Sequence, residues 1–232
     1  MTATRASGSG VTEPLVPAFG RHRVVAVVRE GNADDAREIA HACMAGGLGL
    51  IEITLTTPDA LALVADLVAA APAGVLIGAG TVLDVDQVHA MAGAGAGFLV
   101  SPVTDPDVMA AAGVVGVPFV PAAATPSEIA LGARLGAPVV KVFPAGGLGL
   151  PFLRAVHQVL PHVPLLPSGG IGVGDVPAWL EAGALAVAVG GELGAAHARG
   201  GSDAVTALAA TAASLVGHHT AQLEPRHVRV PS

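Results

Sequence analysis

The chain of 232 residues has no tyrosine, a single tryptophan, a single cysteine and few charged side chains. Because 52% of its residues are hydrophobic and only 12% are charged, it is not an intrinsically disordered protein. Its 11 basic residues are outnumbered by 18 acidic ones, so we expect neither a nucleic-acid partner nor an anionic membrane surface. Cys43 has no second cysteine to pair with, which excludes a disulfide scaffold and fits a reducing cytoplasm.

The chain also lacks a long apolar run, and we expect no secretory leader at its N-terminus. Its most apolar window, residues 108–124, contains two prolines and is shorter than the roughly 20 residues that a membrane-spanning helix requires. The N-terminal residues contain no apolar segment of the signal-peptide type. We expect residues 1–14 to be a disordered tail, residues 15–216 to form one domain, and residues 217–232 to be a second tail without apolar periodicity.

Within residues 15–216, eight short apolar runs begin about 20 to 26 residues apart. They are rich in Val, Ile and Leu, and apolar and polar residues do not alternate within them. Such runs are typical of parallel strands that are covered on both faces. The eight runs are residues 24–28, 49–53, 75–79, 97–100, 117–120, 139–143, 164–166 and 185–189.

The segments between these runs begin with residues that cap helices. Thr125-Pro126-Ser127-Glu128 is a capping box with proline at the first helical position. Thr57-Pro58 and Asp105-Pro106 place a capping residue before proline, and further helix starts are predicted at Asn32, Asp84, Asp175 and Ser202. Eight strands alternating with helices in about 200 residues predict a single-domain (β/α)8 TIM barrel. An open doubly wound sheet is the alternative, but it does not explain why polar residues follow nearly every run.

Lys141 interrupts the sixth apolar run. Side chains alternate across a strand, so Val139, Lys141 and Phe143 share one face, and Val140 and Val142 share the other. A lysine beneath the helices would be an unpaired buried charge, and we therefore expect Lys141 to point into the barrel. There an uncharged amine could attack a ketone. The alternative is a lysine that reaches the rim or is neutralised by a core carboxylate.

Glu52 interrupts the second run in the same way, and the same argument places it inside the barrel. Strands 2 and 6 of an eight-stranded barrel lie opposite each other, about 15 Å apart between backbones. Side chains that reach about 6 Å and about 4 Å leave a gap of about 5 Å, which fits water or a three-carbon fragment. Glu52 is therefore predicted to be an acid or base facing Lys141, and a simple salt bridge is the alternative.

Glycine-rich loops follow the last two runs. Ser168-Gly169-Gly170 follows the seventh run and Gly190-Gly191 follows the eighth, the two positions at which barrels often bind phosphate through backbone N–H groups. We expect an anion site there. The nine histidines show no metal-ligand spacing, and no Gly-x-Gly-x-x-Gly follows the first run, so neither a metal nor a dinucleotide cofactor is expected.

These residues resemble the class I KDPG/KHG aldolases, which act on 2-keto-3-deoxy-6-phosphogluconate and 4-hydroxy-2-oxoglutarate. The most specific elements are Ile-Glu-Ile-Thr at residues 51–54 and Val-Lys-Val-Phe-Pro at residues 140–144. The resemblance covers residues 15–216 in order. Its other matching stretches are residues 24–29, 78–82, 98–102, 121–128, 167–171 and 189–191.

The resemblance implies that Lys141 forms a Schiff base with the substrate and that Glu52 is the general acid/base. It further implies a phosphorylated keto acid as substrate, pyruvate and an aldehyde as products, no cofactor and a homotrimer. Thr81, the Pro102 backbone and Arg29 would surround the pyruvate carboxylate, with Phe143 beside the lysine, and the two glycine loops would bind the phosphate. Thr56 stands where some members have arginine, and Gly191 where a serine is usual.

Three alternatives to this function stay open at the level of sequence. The first is an aldolase specific for the galactonate diastereomer. The second is another phosphate-binding barrel, an isomerase or synthase in which Lys141 acts only through its charge. The third is a non-catalytic trimeric scaffold.

Overall fold

The structure is a computed structural model that describes residues 14–223, with side chains as far as residue 217. In this range the chain forms nine α-helices and nine strand segments. The strands are β1 Val24–Val28, β2 Leu50–Thr54, β3 Leu76–Gly80, β4 Phe98–Val100, β5 Phe119–Val120, β6 Ala122–Ala123, β7 Val140–Val142, β8 Leu165–Pro167 and β9 Val187–Val189. The helices are α1 Leu15–His22, α2 Ala33–Ala45, α3 Ala60–Ala70, α4 Val85–Gly93, α5 Pro106–Val115, α6 Pro126–Arg134, α7 Ala145–Val159, α8 Val176–Glu181 and α9 Gly191–Leu223.

The strand segments form a parallel barrel with eight strand positions, as predicted. One sheet has the order β5-β4-β3-β2-β1-β9 and the other the order β6-β7-β8. Segments β5 and β6 together form the fifth strand of the barrel. They are separated by Pro121, which has no N–H to donate to a neighbouring strand. A bridge between Ser168 and Ala188 connects β8 to β9 and closes the ring.

The alternation of side chains divides the apolar residues into two cores. Outward residues such as Ile51, Ile53 and Val140 pack under the helices. Inward residues fill the barrel at the amino ends of its strands, and they include Val25, Leu50 and Phe98. Each core excludes water from one face of the sheet, and burying one such side chain stabilises the fold by about 1.5–3 kcal/mol.

Helix α1 closes the floor of the barrel, and no sequence signal used above predicted it. Its buried residues Leu15, Ala18 and Phe19 have the i, i+3, i+4 spacing of one helix face. The Phe19 ring meets the Phe98 ring edge to face, with centroids 5.5 Å apart and an interplanar angle of 87°. The floor is therefore sealed by aromatic packing.

Most of the predicted helix starts are confirmed. The Thr125 side chain accepts the Glu128 N–H in a complete capping box, and Asp105 accepts N–H groups at the start of α5. Asn32 and Asp84 cap α2 and α4 in the same manner.

Thr57-Pro58 does not start a helix, and this prediction was wrong. Helix α3 begins two residues later, at Ala60, and the preceding Asp59 has a φ of 56°. The buried Thr57 hydroxyl instead accepts the N–H of Glu30 at 3.3 Å, so it connects the loops that follow β1 and β2.

Two other predicted features differ in detail. Asp175 precedes α8, but its carboxylate accepts the N–H of Gly172 rather than capping α8. Ser202 lies within α9, just after a break in helical geometry at Gly200 and Gly201. Helix α9 runs to Leu223, beyond the predicted domain boundary at residue 216. Most of the two predicted tails, namely residues 1–13 and 224–232, lies outside the described residues.

No helix in residues 14–223 combines the length and the apolar character needed to cross a bilayer.

Candidate active site

Lys141 lies in the middle of β7 and points into the barrel. Its neighbours Val140 and Val142 are buried in the outer core, under the helices. The Lys141 backbone is fixed on both sides, because its N–H donates to Pro121 at 2.8 Å and its register partners are Ala122 and Leu166. Only 7% of the residue is exposed. A buried amine is thus held rigidly at the base of an opening.

Glu52 on β2 faces this amine from the other side of the barrel. One oxygen, Oε1, lies 3.8 Å from the Lys141 Nζ, within ion-pair range but too far for a hydrogen bond. The gap is smaller than the predicted 5 Å, because that estimate placed both side chains on one diameter of an ideal barrel. Glu52 is fully buried, and neither carboxylate oxygen has a hydrogen-bond partner among the described residues.

Gly80 on β3 provides the space that Glu52 occupies. A Cβ at position 80 would lie 2.7 Å from both Cγ and Cδ of Glu52, closer than carbon atoms normally approach. A buried carboxylate without a hydrogen-bond partner is costly, and groups of this kind often serve to bind or to react. The pair Lys141 and Glu52 is therefore open to a third group that can hydrogen-bond to both.

A cavity of about 730 Å³ opens next to Lys141. Of the residues predicted to form the site, it brings together Arg29, Lys141, Phe143, Ser168, Gly169, Gly170, Gly190 and Gly191. Glu52 is not part of the cavity wall, since it lies behind Lys141 with no exposed surface. The cavity is large enough for a small organic acid with a side chain of several carbons.

Phe143 and Gly169 form the wall beside the amine. The Phe143 ring centroid lies 5.5 Å from the Lys141 Nζ. Gly169 has a φ of 88°, and a Cβ there would lie 2.8 Å from the Phe143 ring, so both backbone conformation and close packing require glycine. The loop after β8 is thereby packed directly against the site.

Thr56, Thr81 and Pro102 do not line the cavity, although each follows a strand at the same end of the barrel. The Thr56 hydroxyl is 2.9 Å from that of Thr54. Thr81 has a φ of 62°, a conformation that a β-branched residue rarely adopts. The structure thus separates these three predicted residues from the glycine loops.

Comparison with known proteins identifies the family. The model of the family described as KDPG and KHG aldolase matches residues 18–208. The chain belongs to this family. It is therefore an aldolase, a lyase that cleaves carbon–carbon bonds.

Two relatives of this aldolase have the same percentage sequence identity to the chain, but their names give different substrates. A protein of Rhizobium meliloti described as a probable 2-dehydro-3-deoxy-6-phosphogalactonate aldolase is 38% identical over 138 residues, 60% of this chain and 65% of the relative. The alignment thus spans slightly less than two thirds of that protein. A 2-dehydro-3-deoxy-phosphogluconate aldolase of Treponema pallidum is 38% identical over 158 residues, 68% of this chain and 75% of the relative.

Solved structures agree with the aldolase fold. The KDPG aldolase of Legionella pneumophila, described with pyruvate captured as a covalent carbinolamine intermediate, superposes with a TM-score of 0.76. It is 31% identical, and the superposition covers 85% of this chain and 97% of that one.

The sequence analysis missed two carboxylates in the cavity wall of the aldolase, Glu30 and Glu192. Glu192 Oε2 accepts the N–H of Val173 at 2.6 Å. The pKa of Glu30 is raised by burial and, to a lesser extent, by the charge of Asp35. The signal was present in the sequence, because both residues directly follow positions that were assigned to strand ends.

Among the described residues, the aldolase has no group of three or more His, Cys, Asp or Glu side chains arranged to hold a metal ion. Its cysteine, Cys43, is free and fully buried in α2, and burial raises the pKa of the thiol to about 12.

Proposed function

We propose that Lys141 and Glu52 carry out the reaction of this aldolase. Lys141 forms a Schiff base with the 2-keto carbon of a 4-hydroxy-2-oxo acid, and Glu52 transfers the protons. The supporting observation is the buried Lys141 amine that faces, at 3.8 Å, a buried carboxylate with no hydrogen-bond partner in the described chain. The covalent pyruvate adduct described for the Legionella relative is consistent with amine chemistry at this position.

The proposed reaction begins with attack of the Lys141 Nζ on C2 of the substrate. Loss of water from the carbinolamine gives an iminium ion, which can accept an electron pair. Glu52 removes the proton of the 4-hydroxyl, the C3–C4 bond breaks, and its electron pair moves to C3 as the aldehyde leaves. The protonated Glu52 then returns the proton to C3 of the enamine, and water hydrolyses the iminium to release pyruvate.

The substrate set follows from the names of the relatives. It comprises 2-keto-3-deoxy-6-phospho sugar acids, which yield glyceraldehyde 3-phosphate, and 4-hydroxy-2-oxoglutarate, which yields glyoxylate. Gluconate and galactonate diastereomers both belong in this set, because relatives named for each are 38% identical to the chain. The glycine loops would hold the part of the substrate beyond C4. Its carboxylate would lie near Thr81 and Pro102, and Arg29 is a further basic residue in the cavity wall besides Lys141.

One property of the chain makes the covalent step easy to test, since Lys141 is the only lysine in the sequence. Incubation with pyruvate and borohydride should attach one reduced pyruvate to a peptide that contains Lys141, as detected by mass spectrometry. Lys141→Arg should lose both this adduct and pyruvate release measured with lactate dehydrogenase. An unlabelled Lys141, or an arginine variant with normal turnover, would contradict the proposal. An isomerase, a synthase or a scaffold would give no pyruvate above background.

Glu52→Gln separately tests the proposed role of Glu52 in proton transfer. We expect turnover to fall by roughly 10²–10⁴-fold because the amide cannot accept a proton, while the fold and the Lys141 adduct persist. Full turnover in this variant would remove Glu52 from the mechanism.

We also propose that the aldolase works as a homotrimer in the cytoplasm. Three large apolar side chains near the ends of the adjacent strands β3 and β4 are partly exposed, Leu83 by 47%, Val85 by 38% and Val103 by 48%, and self-association would cover them. A structural neighbour with a TM-score of 0.79 is described as a protein cage designed by fusing symmetric oligomeric domains. Light scattering during gel filtration should give about three times the mass of one chain, and a monomer would contradict the trimer. The free thiol of Cys43 suits a reducing compartment.

A further inference from the structure

The part of the cavity beyond Lys141 carries more negative than positive charge. Its wall contains two carboxylates, Glu30 and Glu192, and two basic residues, Arg29 and Lys141. Lys141 must be uncharged to attack a keto group, which leaves the exposed Arg29 against two carboxylates. Such a wall repels an anionic ligand.

Glu192 directly follows Gly190-Gly191, one of the two loops at which the sequence predicted a phosphate site. It is the second residue of α9, and its Oε2 accepts the N–H of Val173 at 2.6 Å. A Cβ at Gly172 would lie 3.4 Å from Cδ and Oε1 of Glu192, so the carboxylate packs on the glycine loop. The amino end of a helix and a neighbouring amide are groups that bind phosphate, and here the chain's own carboxylate uses them.

A second amide donor of the same loop is also occupied. The N–H of Gly172 donates to Asp175 Oδ2 at 3.1 Å. Two successive amides, those of Gly172 and Val173, therefore point at carboxylates of the chain. A phosphate in this region would have to displace both or lie beside them.

Glu30 approaches the cavity from the loop after β1. A Cβ at Gly194 would lie only 2.5 Å from Glu30 Oε1, so this carboxylate packs against the amino end of α9, which also carries Glu192. Carboxylate oxygens accept hydrogen bonds from hydroxyl groups but have no donor for a phosphate. Glu30 and Glu192 together form an acceptor surface.

We infer that the substrate tail held by this surface is an uncharged polyhydroxy chain, so that the aldolase selects an unphosphorylated 2-keto-3-deoxy sugar acid over its 6-phosphate. The inference rests on the proposed reaction at Lys141 and Glu52. It changes the proposed substrate set only beyond C4, where it replaces the phosphorylated sugar acids with their unphosphorylated forms. The sequence predicted phosphate at these loops from their glycines, from their position after the last two strands and from the family resemblance. Glu30 and Glu192 reverse the sign of the charge that such a site requires.

The test compares two substrates that differ only in the phosphate. We expect kcat/KM of the wild type for 2-keto-3-deoxygluconate to exceed that for 2-keto-3-deoxy-6-phosphogluconate by at least about tenfold. In Glu192→Gln the amide oxygen can still accept the Val173 N–H while the charge is lost. This variant should shift the ratio toward the phosphate ester by about 10- to 100-fold, since a dianion close to one carboxylate loses its repulsion. Glu30→Gln should shift the ratio in the same direction.

Glu181→Gln is the matched control, because it removes the same charge from an exposed position that does not line the cavity. Its substrate ratio should equal that of the wild type. A wild type that prefers the phosphate ester, or a ratio unchanged in both Glu192→Gln and Glu30→Gln, would overturn the inference.

Trapping of pyruvate separates this inference from the proposed function. Pyruvate lacks the part of the substrate that would contact Glu30 and Glu192. Glu30→Gln and Glu192→Gln should therefore form the Lys141 adduct as the wild type does. Failure of the adduct in the wild type would refute the proposed function. A normal adduct combined with a preference for the phosphate ester would refute only the inference that the substrate tail is uncharged.

Discussion

Gly80→Ala tests whether the position of Glu52, rather than its presence alone, determines the reaction rate. The new Cβ would lie 2.7 Å from Cγ and Cδ of Glu52, whereas carbon atoms in contact are about 3.5–4.0 Å apart. The carboxyl group must therefore move by about 1 Å. A misplacement of this size can lower a rate by about 100-fold, or about 2.7 kcal/mol in the activation free energy.

The assay for Gly80→Ala is pyruvate release coupled to lactate dehydrogenase, with unfolding in urea measured in parallel. Overpacking of the barrel should also lower the free energy of unfolding by about 1–3 kcal/mol. Gly113→Ala is the matched control, because a Cβ at this position within α5 would meet no atom within 4 Å apart from its chain neighbours and the backbone of its own helix. It should leave turnover unchanged and stabilise the helix by about 0.5–1 kcal/mol. Wild-type turnover in a folded Gly80→Ala protein would refute the reasoning.

Three further predictions concern the fold. Phe19→Ala should lower the free energy of unfolding in urea by about 3–5 kcal/mol, because the Phe98 ring and the barrel floor lose a buried aromatic partner; a loss below 1 kcal/mol would contradict the packing. The buried Cys43 thiol, whose pKa is raised to about 12, should not react with Ellman's reagent at pH 8, and one thiol should react after denaturation; rapid labelling of the native protein would contradict this. Thr125→Ala should cost about 1 kcal/mol at pH 7. Hydrogen bonds from the Ala124 N–H and then from the Thr125 hydroxyl lower the pKa of Glu128, so its charged form stabilises the fold above about pH 4.5. This stability is lost as the pH falls further, so the difference in unfolding free energy between wild type and Thr125→Ala should shrink by pH 3, and an undiminished difference would contradict the linkage.

The orientation of the catalytic pair could be predicted from sequence because it depends on a local rule. Side chains of a strand alternate, and a charged residue that interrupts an apolar strand under helices must face inward. This rule placed both Lys141 and Glu52 inside the barrel, and the alternation of eight runs gave the fold. The capping residues Thr125 and Asp105 were predictable for the same reason, since each acts within three residues of itself.

Features that depend on distant residues could not be predicted in this way. Glu192 contacts Val173, 19 positions away, and Thr57 contacts Glu30, 27 positions away. The local pattern at Thr57-Pro58 therefore predicted a helix cap, whereas the hydroxyl is used between two loops. The separation of Lys141 and Glu52 was overestimated because it depends on how each side chain leans within the barrel.

The aromatic seal at the floor of the barrel has a consequence for the order of events in the proposed reaction. With Phe19 and Phe98 packed at the far end of the barrel, the described residues leave the cavity next to Lys141 open on the side of the glycine loops, and ligands enter and leave there. The three carbons attached to Lys141 lie deepest, and the aldehyde lies between them and the solvent. The aldehyde must therefore depart before pyruvate does, and in the synthetic direction pyruvate must arrive first.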